Sequence, residues 1–72
     1  MSTAEAFLVF DESDWRVLRG VLSDRQLEIV RLRSLGAGYA TVAQELGISR
    51  AAATRAVRKA ERAVTEALRT MA

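Results

Sequence analysis

The chain has 72 residues, half of them hydrophobic, and contains no cysteine, histidine or proline, which favours one compact helical domain over disorder. These absences exclude disulfides, zinc sites of the usual cysteine and histidine kind, and serine–histidine catalysis, so we expect no enzyme, metal or cofactor. The net charge of +2 is unevenly divided, since residues 1–15 carry −4 and residues 50–72 carry +4, which favours a polyanionic partner for the C-terminal part.

The first predicted helix follows a short apolar stretch. Residues 6–10 (AFLVF) are too few for a signal-peptide core or a membrane span, so we expect no targeting segment and no membrane insertion. Asp11 is a good N-cap residue, and the helix that it opens carries Trp15 and Leu18. This helix is predicted to end near Gly20.

The second predicted helix has the clearest start signal in the chain. Ser23 and Gln26 are spaced as a capping box, and Leu22 can pack on Leu27 as a hydrophobic staple. Gly36 is predicted to end this helix in the left-handed conformation. The residues predicted to form its apolar face are Leu27, Ile29, Val30, Leu32 and Leu35.

Two further helices are predicted after Gly36. A short helix over residues 39–46 turns Val42, Ala43 and Leu46 inward and ends at Gly47. Ser49 then caps a helix of about six turns over residues 50–71, which no breaker interrupts. We therefore expect an all-α fold, a small helix-turn-helix bundle of about four helices with a long C-terminal helix, forming a single domain over residues 1–72.

The long C-terminal helix is predicted to have a basic and an apolar face. At 100° per residue, the basic side chains within about 60° of Arg55 are Arg58, Lys59, Arg62 and Arg69. The opposite face carries a heptad-like row, named here the C-terminal seam: Val57, Ala60, Val64, Ala67, Leu68 and Met71.

The two halves of the C-terminal seam have different expected partners. The first half is expected to pack on the chain's own earlier helices. The second half, residues 64–71, is expected to pack on a partner chain, with residues 6–10 folding back over it as the alternative. The predicted dimerisation residues are those of the whole seam: Val57, Ala60, Val64, Ala67, Leu68 and Met71. A homodimer is expected because so short a chain buries only about 60% of its unfolded surface and its core stabilises it weakly.

The start of the long helix favours a bound anion. A helix N-terminus carries unpaired N–H groups and partial positive charge, so acidic side chains are preferred there. Here Arg50 stands first and Ala51 and Ala52 follow, an arrangement that a bound phosphate would stabilise. The alternative is that Arg50 reaches back to Glu45 or into solvent.

The stretch GYATVAQELGISRAAATRAVRKA, residues 38–60, resembles a helix-turn-helix DNA-binding motif, placed at residues 39–58. The likeness rests on Ala43 at the helix crossing, Gly47 and Ile48 in the turn, and Ser49 at the second helix start. LSDRQLEIVRLRSLGAGYATVAQELGIS is also similar to sigma-factor region four and LuxR-type DNA-binding domains. With DESDW preceding it, the order of elements resembles the KorA/TrfB group of plasmid repressors, which implies a dimeric repressor reading a palindromic operator in double-stranded DNA.

The resemblance places the groove-facing residues on the early turns of the second helix. Arg55 is predicted to bind guanine in bidentate fashion, while Thr54 either donates a hydrogen bond to a base or phosphate or contacts a thymine methyl group. Phosphate and flanking contacts position the protein without reading sequence. The full predicted DNA-binding set is Tyr39, Thr41, Gln44, Ser49, Arg50, Ala51, Ala52, Thr54, Arg55, Arg58, Lys59 and Arg62.

Other interpretations remain open beside this one. A protein-interaction module or sigma-region-four-like adaptor would dock on another protein through the C-terminal seam. Phe7, Phe10 and Trp15 are expected to pack in the core or in a dimer contact rather than to stack on bases. Tyr39 has packing as the alternative to its role in DNA binding. A cytoplasmic location is expected, since a chain without cysteine suits a reducing compartment, and no small-molecule ligand is implied.

Overall fold

The structure, a computed structural model, describes residues 10–71, with side chains to residue 70. Within that range the chain forms four α-helices and no strand. They are α1 (Glu12–Val21), α2 (Asp24–Ser34), α3 (Tyr39–Leu46) and α4 (Arg50–Met71). The predicted all-α class and the long C-terminal helix are confirmed.

Capping boxes open the first two helices, as the sequence predicted for the second. In α1, Asp11 Oδ1 accepts from the Asp14 N–H at 2.9 Å, and Asp14 Oδ2 accepts from the Asp11 N–H at 3.1 Å. In α2, Ser23 Oγ and Gln26 Oε1 accept reciprocally from the two backbone N–H groups, both at 3.1 Å. Each box satisfies two N–H groups that the helix itself leaves without a partner.

Glycines in the left-handed region end α2 and α3. Gly36 has φ of 93° and Gly47 has φ of 66°, and no other described residue has positive φ. At the end of α3, the Gly47 N–H donates to Gln44 O at 3.3 Å and the Ile48 N–H donates to Ala43 O at 3.0 Å. These bonds satisfy carbonyls of the last turn and fix the direction in which the chain leaves α3.

Replacing two glycines by alanine is expected to change stability in opposite directions. Gly47→Ala destabilises the fold by about 1–2 kcal/mol because a residue with a Cβ is strained at positive φ. The strain is in the backbone, since no atom lies within 4 Å of the place that the new Cβ would take. Gly20→Ala, inside α1 and equally unobstructed, stabilises by about 0.5–1 kcal/mol through higher helix propensity. Urea unfolding of both variants tests this, and equal shifts would contradict the assigned conformation of Gly47.

The core lies between α4 and the three preceding helices, each of which contacts α4. Its buried side chains are Leu18, Leu22, Ile29, Val30, Leu32, Val42, Ala43, Ala53, Val57, Ala60, Val64 and Ala67. Four of these are alanines, three of them on α4, so the helices approach closely and the core volume is small. Its stability margin is correspondingly narrow.

The predicted apolar face of α2 needs one correction. Ile29, Val30 and Leu32 are buried, and Leu27 is half-buried against the core. Leu35, by contrast, is 73% exposed. The reason is that α2 ends at Ser34, so Leu35 adopts cap geometry (φ −88°, ψ 3°) and the helical spacing no longer directs its side chain inward.

Most of the C-terminal seam is buried within the single chain: its first half packs on the chain's own helices, as expected, and Val64 and Ala67 of its second half are buried as well. Val57 and Ala60 are 0% exposed, Val64 is 2% and Ala67 is 7% exposed. The three preceding helices α1, α2 and α3 all pack on α4, so they cover more of α4 than the sequence suggested. Leu68 is half-buried. The side chain of Met71 and residues 6–9 of the alternative cover lie outside the described part.

Candidate nucleic-acid interface

A tight turn joins the two helices of the predicted motif. Three residues, 47–49, separate α3 from α4. Ser49 Oγ accepts from the Ala52 N–H at 3.1 Å and so caps α4, as predicted. Ala43 and Ala53 are 7% and 0% exposed where α3 and α4 pack together. The cap and the small buried residues therefore fix the exposed start of α4 beside α3.

All twelve predicted DNA-binding residues are accessible, as contact with a duplex requires. Three are half-buried: Tyr39, Ala52 and Thr54. Nine are exposed: Thr41, Gln44, Ser49, Arg50, Ala51, Arg55, Arg58, Lys59 and Arg62. They come from α3, the turn and residues 50–62 of α4, so they lie on and just after one helix–turn–helix segment. Their binding to DNA stays a prediction.

The positive charge of α4 is concentrated in its first half. Residues 50–60 contain three arginines and one lysine and no acid, whereas residues 61–71 contain two acids and two bases. In the described part of the chain, the ion pairs are Arg19–Glu12 at 3.2 Å, within α1, and Arg31–Glu28 at 2.9 Å, within α2. The alternative contact of Arg50 with Glu45 is not among them. An uncompensated basic surface therefore covers the first three turns of α4.

The hydroxyl of Thr54 is used within α4. Its Oγ1 donates to Arg50 O at 3.0 Å, one turn earlier. Thr65 and Thr70 donate in the same way to Glu61 O and Glu66 O, at 3.0 and 2.8 Å. Threonine commonly makes this bond on a helix surface. In the free protein, the Thr54 hydroxyl hydrogen, which was one candidate donor to a base or phosphate, is therefore already donated to Arg50 O.

A contact between Arg33 and Tyr39 holds the turn before α3, and sequence reasoning missed it. The Arg33 guanidinium carbon lies 5.1 Å from the centre of the Tyr39 ring, a cation–π distance. Its Nη1 also donates to Ala37 O at 2.8 Å. Tyr39 is therefore partly a packing residue, which was its alternative role. The available signal was an arginine and a tyrosine on either side of a glycine-containing turn.

A partly apolar groove lies between α1 and α2. It has a volume of about 440 Å³ and lies beside Trp15 and Leu27, with the ion-paired Glu12–Arg19 and Glu28–Arg31 also lining it. The Phe10 and Trp15 rings meet edge to face, with centres 5.3 Å apart and planes at 74°. Both rings are half-buried, which agrees with packing rather than with a platform for stacking bases.

The described residues contain no group of three acidic side chains placed to hold a metal ion, and the chain has no histidine or cysteine. Among those residues, no helix combines the length and apolar character that crossing a bilayer needs. Comparisons with protein-family models, with curated protein sequences and with solved structures gave no match.

Proposed function

We propose that this protein binds double-stranded DNA sequence-specifically and acts as a homodimeric transcriptional repressor of plasmid or other mobile-element promoters, in the cytoplasm. In this proposal the first turns of α4 enter the major groove of a palindromic operator. Arg55 binds guanine, and Arg50, Lys59 and Arg62 contact phosphates on either side.

The uncompensated basic surface at the start of α4 is the observation that carries this proposal. Four basic residues within residues 50–60, with no acid among them, stand on a helix that α3 and a tight turn hold in place. Exposed Ala51 and half-buried Ala52 add little bulk, so a duplex can approach the helix backbone. A capped helix start with arginine at its first position suits a phosphate oxygen.

The proposed dimer uses residues other than the buried seam. Val57, Ala60 and Val64 are inaccessible in the folded chain, so pairing through them would require opening the core. The rival protein-interaction function depended on the same seam, and the burial of these residues therefore favours the DNA-binding proposal. Exposed large hydrophobic residues elsewhere in the described part are Val21 and Leu35, at 62% and 73%. We propose that exposed apolar residues such as these two form the contact between the two copies.

Selection of bound duplexes from a random pool tests the proposed function. A homodimer with two equivalent recognition helices is expected to enrich a palindrome whose half-site centres lie about 10–10.5 base pairs apart, one turn of B-DNA, or a multiple of that. Enrichment of a single unrepeated site would contradict the dimer. Recovery of no sequence preference over the starting pool would contradict sequence-specific binding.

A further inference from the structure

We infer that Thr54 is a specificity residue that recognises the C5-methyl group of thymine, through its own methyl group rather than its hydroxyl. This inference rests on the proposed function, because it concerns the same DNA surface. It decides between the two roles that the sequence left open for Thr54. The deciding observation is the hydrogen bond within α4.

The hydroxyl of threonine carries one hydrogen, and in Thr54 that hydrogen is donated to Arg50 O at 3.0 Å. Donation to a base edge or phosphate would therefore require this bond to break first. Because Oγ1 lies against the preceding turn, the other branch on Cβ, the methyl group, is directed away from that carbonyl. The hydroxyl oxygen can still accept a hydrogen bond, but its one hydrogen is engaged, and the methyl group is the part of the side chain available for an apolar contact.

The surroundings of Thr54 suit an apolar contact inside a basic surface. Ala51, three residues earlier, is its neighbour on the helix surface and is exposed, with only a methyl side chain. Arg55 and Arg58, both exposed, flank the pair on the following turn. Two adjacent methyl groups between arginines match the thymine edge in the major groove, where a C5-methyl group lies close to the phosphate backbone.

Replacement of thymine by deoxyuridine removes only that C5-methyl group. In the duplex recovered by selection, each thymine of a half-site is replaced in turn, and binding is measured by fluorescence polarisation. One position is expected to lose about fourfold in affinity per half-site, the value of one buried methyl group. Equal affinity for every replaced duplex would overturn the inference while leaving the proposed function intact.

Two variants separate the methyl group from the hydroxyl. Thr54→Ser keeps the hydroxyl and lacks the methyl group, so it is expected to bind the thymine and deoxyuridine duplexes equally. Thr54→Val keeps a methyl group and lacks the hydroxyl, so it is expected to retain the fourfold preference. If Thr54→Val loses the preference or Thr54→Ser keeps it, the methyl group of Thr54 is not the recognising group and the inference is wrong.

Thr65→Ser is the matched control. Thr65 makes the same bond to the carbonyl four residues earlier, at 3.0 Å. It lies about 16 Å further along α4 and within about 20° of the same angular position. This variant is expected to keep the full thymine preference. Circular dichroism of all three variants confirms that each is folded. A wild-type protein that prefers no duplex in the selection would instead overturn the proposed function itself.

Discussion

Replacing Leu18 by alanine is expected to destabilise the fold by about 2–5 kcal/mol and to leave a large fraction of the protein unfolded at room temperature. Leu18 is 0% exposed and lies on α1, which packs on α4. Removing it leaves a cavity that the small core fills only in part. A core of this size supplies only about 3–5 kcal/mol in total, so the loss is comparable with the whole stability.

Leu35→Ala is the matched control for this prediction. It makes the same chemical change at a leucine that is 73% exposed, so its effect on the free energy of unfolding is expected to stay within about 0.5 kcal/mol. Urea unfolding followed by far-ultraviolet circular dichroism measures both variants. Equal shifts of the two midpoints would contradict the described core and restore Leu35 to the apolar face that the sequence predicted.

Raising the salt concentration is expected to weaken DNA binding steeply. Three cationic side chains per subunit, Arg50, Lys59 and Arg62, are proposed to contact phosphates. A homodimer would then make about six such contacts, and its affinity would fall about 10³-fold between 50 and 200 mM salt. A single subunit would lose about 40-fold over the same range. The slope of log K against log salt therefore reports both the binding mode and the number of subunits engaged.

A titration of a labelled duplex at several salt concentrations makes this measurement. Arg62→Ala is expected to lower the slope by about one for each subunit bound, because one phosphate contact is removed. Binding that hardly responds to salt would contradict the electrostatic interface, since apolar contacts depend only weakly on ionic strength.

Most helix boundaries were predictable because they depend on residues close together in the chain. The capping box of Ser23 and Gln26, the cap at Ser49, and the left-handed Gly36 and Gly47 all act over four residues or fewer. Their bonding and backbone preferences are therefore visible in the sequence itself. Leu35 shows the limit of this reasoning. Periodicity alone does not reveal that α2 ends one residue before it.

The packing of α4 was less predictable because it depends on distant parts of the chain. The heptad-like spacing of Val57, Ala60 and Val64 correctly marked one face of the helix. The same spacing suits a partner chain or the chain's own helices, and only the placement of α1 and α2 decides between them. The contact of Arg33 with Tyr39 likewise arises only when the turn between α2 and α3 has formed.

For the candidate site, the sequence predicted which side chains of α4 are exposed but not which of them are hydrogen-bonded within the helix. Spacing on α4 placed Arg55, Arg58 and Lys59 on its exposed side, and all three are exposed. It did not show that Thr54 engages its hydroxyl within the helix, because that bond depends on the rotamer rather than on spacing.

Comparison of Arg55→Ala with Arg69→Ala tests the central claim, that the start of α4 reads DNA sequence, most directly. Both residues are exposed on α4, and the two variants lose the same charge, about 21 Å apart along the helix. In a polarisation titration with the selected duplex, Arg55→Ala is expected to lose about 1–3 kcal/mol of specific binding, with non-specific binding largely kept, while Arg69→Ala keeps both. Unchanged specific affinity in Arg55→Ala, or an equal loss in Arg69→Ala, would contradict the claim.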